Sequence, residues 1–295
     1  MLAIALALAA SAGYGASDFL AARLARRFEA TTLVLLSQAA QALVLTTALL
    51  WRPLAPEALT WGAAAGGLNG IGLVLYYRAL ATGPAGVVTP LVASSMVVPA
   101  GVALAGGVLT DGWVVAALVV TIVGVIVGTA GQPEREPRAT DPSRRYVAPA
   151  LLATFAFGAF FVLLGKGAGV TSGSDADTLW AVLGVQLGAL PVTGAALLWS
   201  RRRIAPTSRE RQSPVSARGR LAPLALLSGL NLGGDVALAY ALAAGDLGVV
   251  SVLASLGPVL TGALSQLLDG ERLTARQATG AVLTFGGTTA IAYLY

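Results

Sequence analysis

The stretch Asn69–Val97 reads NGIGLVLYYRALATGPAGVVTPLVASSMV, and Asn231–Val259, 162 positions later, reads NLGGDVALAYALAAGDLGVVSVLASLGPV. Aligned from Gly67 and Gly229, the copies agree at 14 of 31 positions, including Gly67/Gly229, Asn69/Asn231, Gly72/Gly234, Gly83/Gly245, Gly86/Gly248 and Leu91/Leu253. Chance would give roughly a tenth even in a chain rich in Ala, Leu, Gly and Val, so the chain carries an internal duplication. Each copy is two apolar runs joined by a short glycine-bounded turn, GPAG at Gly83–Gly86 and GDLG at Gly245–Gly248. Both copies therefore read as membrane hairpins.

Composition agrees. Of the 295 residues, 56% are hydrophobic and 11% charged, too few charges to cover a water-exposed surface and too many apolar residues for disorder. Cysteine is absent, which removes disulfides and thiol chemistry; histidine is absent too, which removes the commonest general base and metal ligand. Proton chemistry must then rest on Asp or Glu. Leu2 opens an apolar run with no positive leader and no small-residue cleavage site, so the first span reads as a retained helix.

A bilayer crossing takes about 20 mostly apolar residues, and loops rich in Arg, Pro, Ser and Asp divide the chain into ten such runs. They are Leu2–Ala22, Thr31–Trp51, Trp61–Thr82, Gly86–Gly107, Gly112–Ala130, Val147–Gly169, Thr178–Trp199, Leu221–Ala244, Gly248–Leu268 and Gln277–Tyr295. The expected fold is an all-α membrane protein of ten transmembrane helices in two five-helix repeats, residues 1–130 and 147–295, joined by a cytoplasmic linker at 131–146. An odd number of spans per repeat makes the second copy cross in the opposite sense, about a pseudo-two-fold axis in the membrane plane.

Loop charge tests that inversion. The loops after spans one, five, seven and nine collect 16 of the 19 basic residues, Arg201–Arg203 among them, while the loop after span six carries only Asp175 and Asp177. The positive-inside rule assigns the basic face to the cytoplasm and both termini to the outside. The high pI thus reports membrane orientation, not nucleic-acid binding. The linker Gly131–Tyr146 and the tract Ser200–Arg220 read as solvated tethers, with anionic lipid as the alternative contact for Arg201–Arg203. Spacings such as Gly62/Gly66, Gly124/Gly128 and Gly229/Gly233 fit close helix packing.

Charges within apolar spans cost several kcal/mol unless paired or hydrated, so each marks a candidate site. Asp18 and Arg78 lie at matched depth near the cytoplasmic ends of spans one and three, which allows an inner salt bridge. Lys166, near the external end of span six, either snorkels or gates. Asp235 falls near the middle of span eight, where a short carboxylate needs water, a partner or a proton. Asn231 is one turn away on the same face; Asn69 is its repeat mate, Tyr76 shares the face of Asn69, and Tyr14 is central in span one. Gln38 and Gln186 occupy similar places in spans two and seven. Together these groups read as a wet midplane cavity, beside spans that Pro90, Pro99 and Pro258 are expected to kink. No P-loop, HExxH, GxSxG or GxGxxG pattern supports an enzyme.

Ten spans in two inverted halves resemble the EamA-type transporters of the drug/metabolite transporter superfamily. The second half carries the likeness best, through GDLGVVSVLASLGPVLTGALSQLLDGERLTARQATGAVLTFGG and its Gly270–Glu271 pair; the first half departs from it, since GGVLTDGW has no Glu at the equivalent place. The resemblance implies a secondary transporter of the plasma membrane, moving small metabolites, amino acids or drugs, often outward, through a central cavity formed by spans one, three, four, six, eight and nine. Tyr14, Asp18, Asn69, Tyr76, Asn231 and Asp235 are then the substrate-binding or coupling candidates, and Asp18, Arg78 and Lys166 the gate candidates. A facilitative channel or lipid-handling protein without proton coupling stays open as the alternative, as does a non-transporting membrane scaffold. The expected partners are a small-molecule substrate and the bilayer, with no cofactor, metal or nucleic acid; a homodimer is left open.

Overall fold

The computed structural model describes residues 1–24, 30–82, 91–92, 94–107, 111–129, 146–169, 175–203, 217–269 and 274–294. Among them all regular structure is helical: α1 (Leu2–Leu24), α2 (Ala30–Leu49), α3 (Pro56–Thr82), α4 (Val97–Ala105, entered through a 3-10 turn at Ser94–Met96), α5 (Gly112–Thr129), α6 (Val147–Gly169), α7 (Asp175–Arg203), α8 (Ala217–Ala244), α9 (Leu247–Ala254), α10 (Gly257–Asp269) and α11 (Ala275–Leu294). Six of these, α1, α2, α3, α6, α7 and α8, hold apolar stretches of 19 to 24 residues, enough to cross a bilayer.

The run expected as a single ninth span is two helices. Pro258 has no N–H to give the carbonyl four residues back, so the first helix ends at Ala254. The Ser255 N–H turns back to the carbonyls of Ser251 and Val252, at 3.1 and 3.3 Å. The chain restarts at Gly257 with the proline as its second helical residue, where a missing N–H is no loss. Upstream, Asp246 caps α9: its Oδ1 accepts from the N–H groups of Gly248 (2.8 Å) and Val249 (3.3 Å). The GDLG turn is thus an N-cap. Its counterpart Gly83–Gly86, Pro90, the Gly270–Glu271 pair and most of the linker lie outside the described residues. The tract read as a tether after Trp199 is helical at both ends, since α7 continues to Arg203 and α8 begins at Ala217.

Packing follows the small residues. The helix α3 lies between α6 and α7, α1 lies against α8, α9 and α10, α2 lies against α7 and α8, and α5 pairs with α11. A Cβ added at Gly62 or Gly66 would run into the backbone of Ala181 or Val185; one added at Gly184 or Gly188 would run into that of Leu59 to Ala63. So α3 and α7 touch backbone to backbone, which two glycine pairs make possible. Gly124 of α5 meets Thr284 of α11 in the same way, and Gly287 meets Thr121. The third expected pair fails: among the described residues nothing lies within 4 Å of a Cβ at Gly229 or Gly233. The spacing permits close approach, but no described neighbour has taken it up on that face of α8.

One contact pattern occurs twice. A Cβ at Gly234 of α8 would meet the Tyr14 ring of α1 at 2.9 Å, and one at Gly72 of α3 would meet the Phe157 ring of α6 at 2.9 Å. Gly15, next to Tyr14, abuts the Gly257 carbonyl and Leu260, while Gly158, next to Phe157, abuts the Ser95 carbonyl and Val98. Gly72/Gly234, Ser95/Gly257 and Val98/Leu260 are each 162 positions apart, the spacing of the repeated hairpin.

Candidate functional site

Asp235 is held from two other helices. The Tyr14 hydroxyl of α1 donates to its Oδ1 at 2.8 Å, and the Gln186 amide of α7 donates to its Oδ2 at 2.8 Å. Local sequence explains how α1 arrives there. Gly13 brings α1 so close to α8 that a Cβ would sit 2.9 Å from the Leu230 carbonyl oxygen. Gly234 leaves room for the Tyr14 ring against the neighbouring helix, and the phenol ends beside residue 235. On the far side the Thr261 hydroxyl donates to the Gly15 carbonyl at 3.1 Å, tying α1 to the helix that follows the break. The segment Gly13–Tyr14–Gly15 is therefore wedged between α8 and the broken span.

Asp235 is 7% exposed, which makes its two donors decisive. A carboxylate has about four lone-pair sites, and the two donors fill one on each oxygen. The remainder can accept from a ligand or bind a proton. Asp18 lies one turn along α1 from Tyr14 and is exposed, a second carboxylate on the same side of the helix.

The other candidates lie on α2, α3, α6 and α8. Asn231 and Asn69 are half-buried, on α8 and α3. Tyr76 packs with Ala79, Val92, Ala150 and Ala153, between α3 and α6. Gln38 accepts a 2.8 Å bond from the Thr193 hydroxyl, a buried link between α2 and α7. Arg78 has a different neighbour from the Asp18 expected for it: its guanidinium carbon lies 4.2 Å from the centre of the Trp199 ring. Lys166 is exposed, with Nζ 5.1 Å from the centre of the Trp61 ring. With Glu57, Val102, Leu242 and Leu247 it lines a cavity of about 440 Å³ where α3, α4, α6, α8 and α9 meet. Gln186 had a signal that pairing by sequence distance does not use: a buried amide in mid-span must find a partner, and Asp235 needs donors.

Comparison with known proteins bears on this arrangement. The model of the EamA-like transporter family matches residues 134–293, more than half of the chain. The chain belongs to the EamA-like transporter family. The match covers α6 through α11 and so includes Gln186 and Asp235, whereas Tyr14 reaches the site from outside it. As an EamA-like protein with six helices of crossing length among the described residues, it is a multi-pass membrane protein. No curated protein matches. Among 29 matching solved chains is a crystal structure at 20% identity, with 99% of this chain and 96% of that one covered and a TM-score of 0.71. At that identity the likeness shows a shared fold.

Proposed function

We propose that this EamA-like protein is a secondary transporter of the plasma membrane that exports small metabolites, amino acids or drugs by alternating access, with Asp235 as the binding and coupling group. The observation that carries the reading is the position of that carboxylate. It sits in mid-span, held by neutral donors from α1 and α7, one helix from each half of the chain, beside the broken span. Both of its partners among the described residues are neutral, so Tyr14 and Gln186 can follow a change in its charge. The chain has no histidine, so a proton-linked cycle falls to a carboxylate. The halves are read as inverted repeats, a reading supported by the recurring aromatic-on-glycine contact and by the loop charge. The cavity that holds Lys166 and Glu57 is read as the outer mouth, and Asp18 as a second station toward the cytoplasm.

Two experiments test this. Proteoliposomes screened for uptake and efflux, with and without a pH gradient, should show flux that follows the gradient in the wild type and loses that dependence in Asp235→Asn. Full pH-dependent flux in the variant overturns the role of Asp235. Single cysteines in this cysteine-free chain should be labelled from outside at Asp175 and not at Ser208; the reverse pattern overturns the orientation.

A further inference from the structure

We propose that the pocket between α2, α3 and α7 is a binding site for an anionic glycerophospholipid, with the headgroup phosphate at Arg78 and an acyl chain along the wall below it. The pocket exists because of how α3 and α7 pack. Glycines lock their backbones together over Gly62–Gly66 and Gly184–Gly188. Further along, the facing residues become Leu73, Val74 and Arg78 on one helix and Thr193, Ala196 and Trp199 on the other, so the helices separate. The gap, closed on its third side by Thr31 and Val34 of α2, is a cavity of about 230 Å³. From Thr193 to Ser200 it runs roughly 10 Å along the helix at 1.5 Å per residue.

The slot is graded in polarity. Its deep part is Leu73, Val74, Val34 and Ala196, with the Thr193 hydroxyl there bonded to Gln38 and to its own helix, and its shallow end is the Arg78 guanidinium over the Trp199 indole at 4.2 Å. An arginine stacks by its face and donates from its edge, in a fork that suits phosphate oxygens. Arginine and tryptophan at helix ends mark the headgroup level of a bilayer. Leu36 and Leu198, beside the pocket on α2 and α7, are exposed, which puts hydrocarbon next to the slot. The face is cationic as well, since α7 continues into Arg201–Arg203 and loop charge assigns this end to the basic side. An amphiphile with a negative head and an apolar tail fits both ends of the slot; a zwitterionic lipid or a soluble anion fits one.

The test is thermal unfolding of the full-length protein in a nonionic detergent, titrated with dioctanoyl phosphatidylglycerol, dioctanoyl phosphatidylcholine or glycerol 3-phosphate. Phosphatidylglycerol should raise the Tm by several degrees and the other two should not. Arg78→Gln should abolish most of the shift. Ala196→Phe, which fills the slot without touching the charge, should abolish it too, and keeps the test alive if the arginine variant fails to fold. An equal shift with phosphatidylcholine, the full shift with glycerol 3-phosphate alone, or an undiminished shift in Ala196→Phe overturns the site.

Discussion

At one corner of the molecule Tyr14 of α1 lies on Gly234 of α8, and the next residue along α8 is Asp235; at another, Phe157 of α6 lies on Gly72 of α3, and the next residue along α3 is Leu73. The packing is the same, down to the adjoining glycine that abuts a carbonyl in the neighbouring span. The chemistry differs by one hydroxyl and one carboxylate. Closing these helices takes the ring on the glycine in both places. A polar site needs its groups in only one. The comparison separates what holds these helices together from what the chain is proposed to do with them.

Substituting the residue after the glycine should give the largest contrast. Asp235→Asn keeps the shape, and the Gln186 amide can turn its oxygen toward the new NH₂ group, so the protein should fold and insert. Transport should fall about tenfold or more, equivalent to ~1.4 kcal/mol of lost transition-state stabilisation, and the remaining flux should ignore pH. Leu73→Asn should leave transport near the wild-type level and cost only stability, because Phe157 offers no hydroxyl to meet it. Flux assays on the two reconstituted variants decide the matter; equal losses would mean that the corners are not functionally distinct.

The glycines come next. Gly234→Ala and Gly72→Ala each press a methyl group into an aromatic ring, an overpacking that costs about 1–3 kcal/mol. Unfolding in denaturing detergent should report similar destabilisation for both. Only Gly234→Ala also moves a hydroxyl off Asp235, so only it should slow transport at a temperature where both variants remain folded. If Gly72→Ala slows transport as much, the Tyr14 hydrogen bond has no special part in it.

Much of this was legible in the chain, for reasons that differ by feature. The helical runs show because a bilayer imposes a length of apolar sequence, and the hairpin repeat shows because its glycines recur. Asp235 stood out because an unsolvated carboxylate in mid-span is an anomaly wherever its partners lie. Those partners were another matter. Reasoning along one helix favoured Asn231, one turn away, whereas the donors come from positions 221 and 49 residues distant in the chain. That choice depends on how far α1 may approach α8, which Gly13 and Gly234 set, and on the rotation of α7. Gly229/Gly233 teaches the same lesson from the other side: a spacing states what a helix surface permits, and only the neighbours decide whether it is used. Arg78 looked like a partner for Asp18 because the two match in depth. Depth fixes one coordinate of three, and Trp199 occupies the side of α3 toward which Arg78 points.

The smallest expected effect concerns a hydroxyl at each corner. Thr154 of α6 donates to the Leu91 carbonyl at 2.9 Å, linking α6 to the span before α4, and shares that hydrogen with its own helix at the Ala150 carbonyl. Ser11, which stands to Tyr14 as Thr154 stands to Phe157, is 0% exposed, and its Oγ has no hydrogen-bond partner among the described residues. Thr154→Val should therefore remove a real link and destabilise by about 0.6 kcal/mol, the usual worth of a side-chain hydrogen bond between membrane helices. Ser11→Ala removes a buried polar atom that gains nothing from the fold, so it should be neutral or slightly stabilising. The sign of the difference is the informative quantity, and paired unfolding measurements in one detergent resolve it. A loss on Ser11→Ala as large as that on Thr154→Val would mean that the Ser11 hydroxyl is satisfied, with the polar equipment of the Tyr14 corner extending one turn further along α1 than Asp235, Gln186 and Tyr14 alone define.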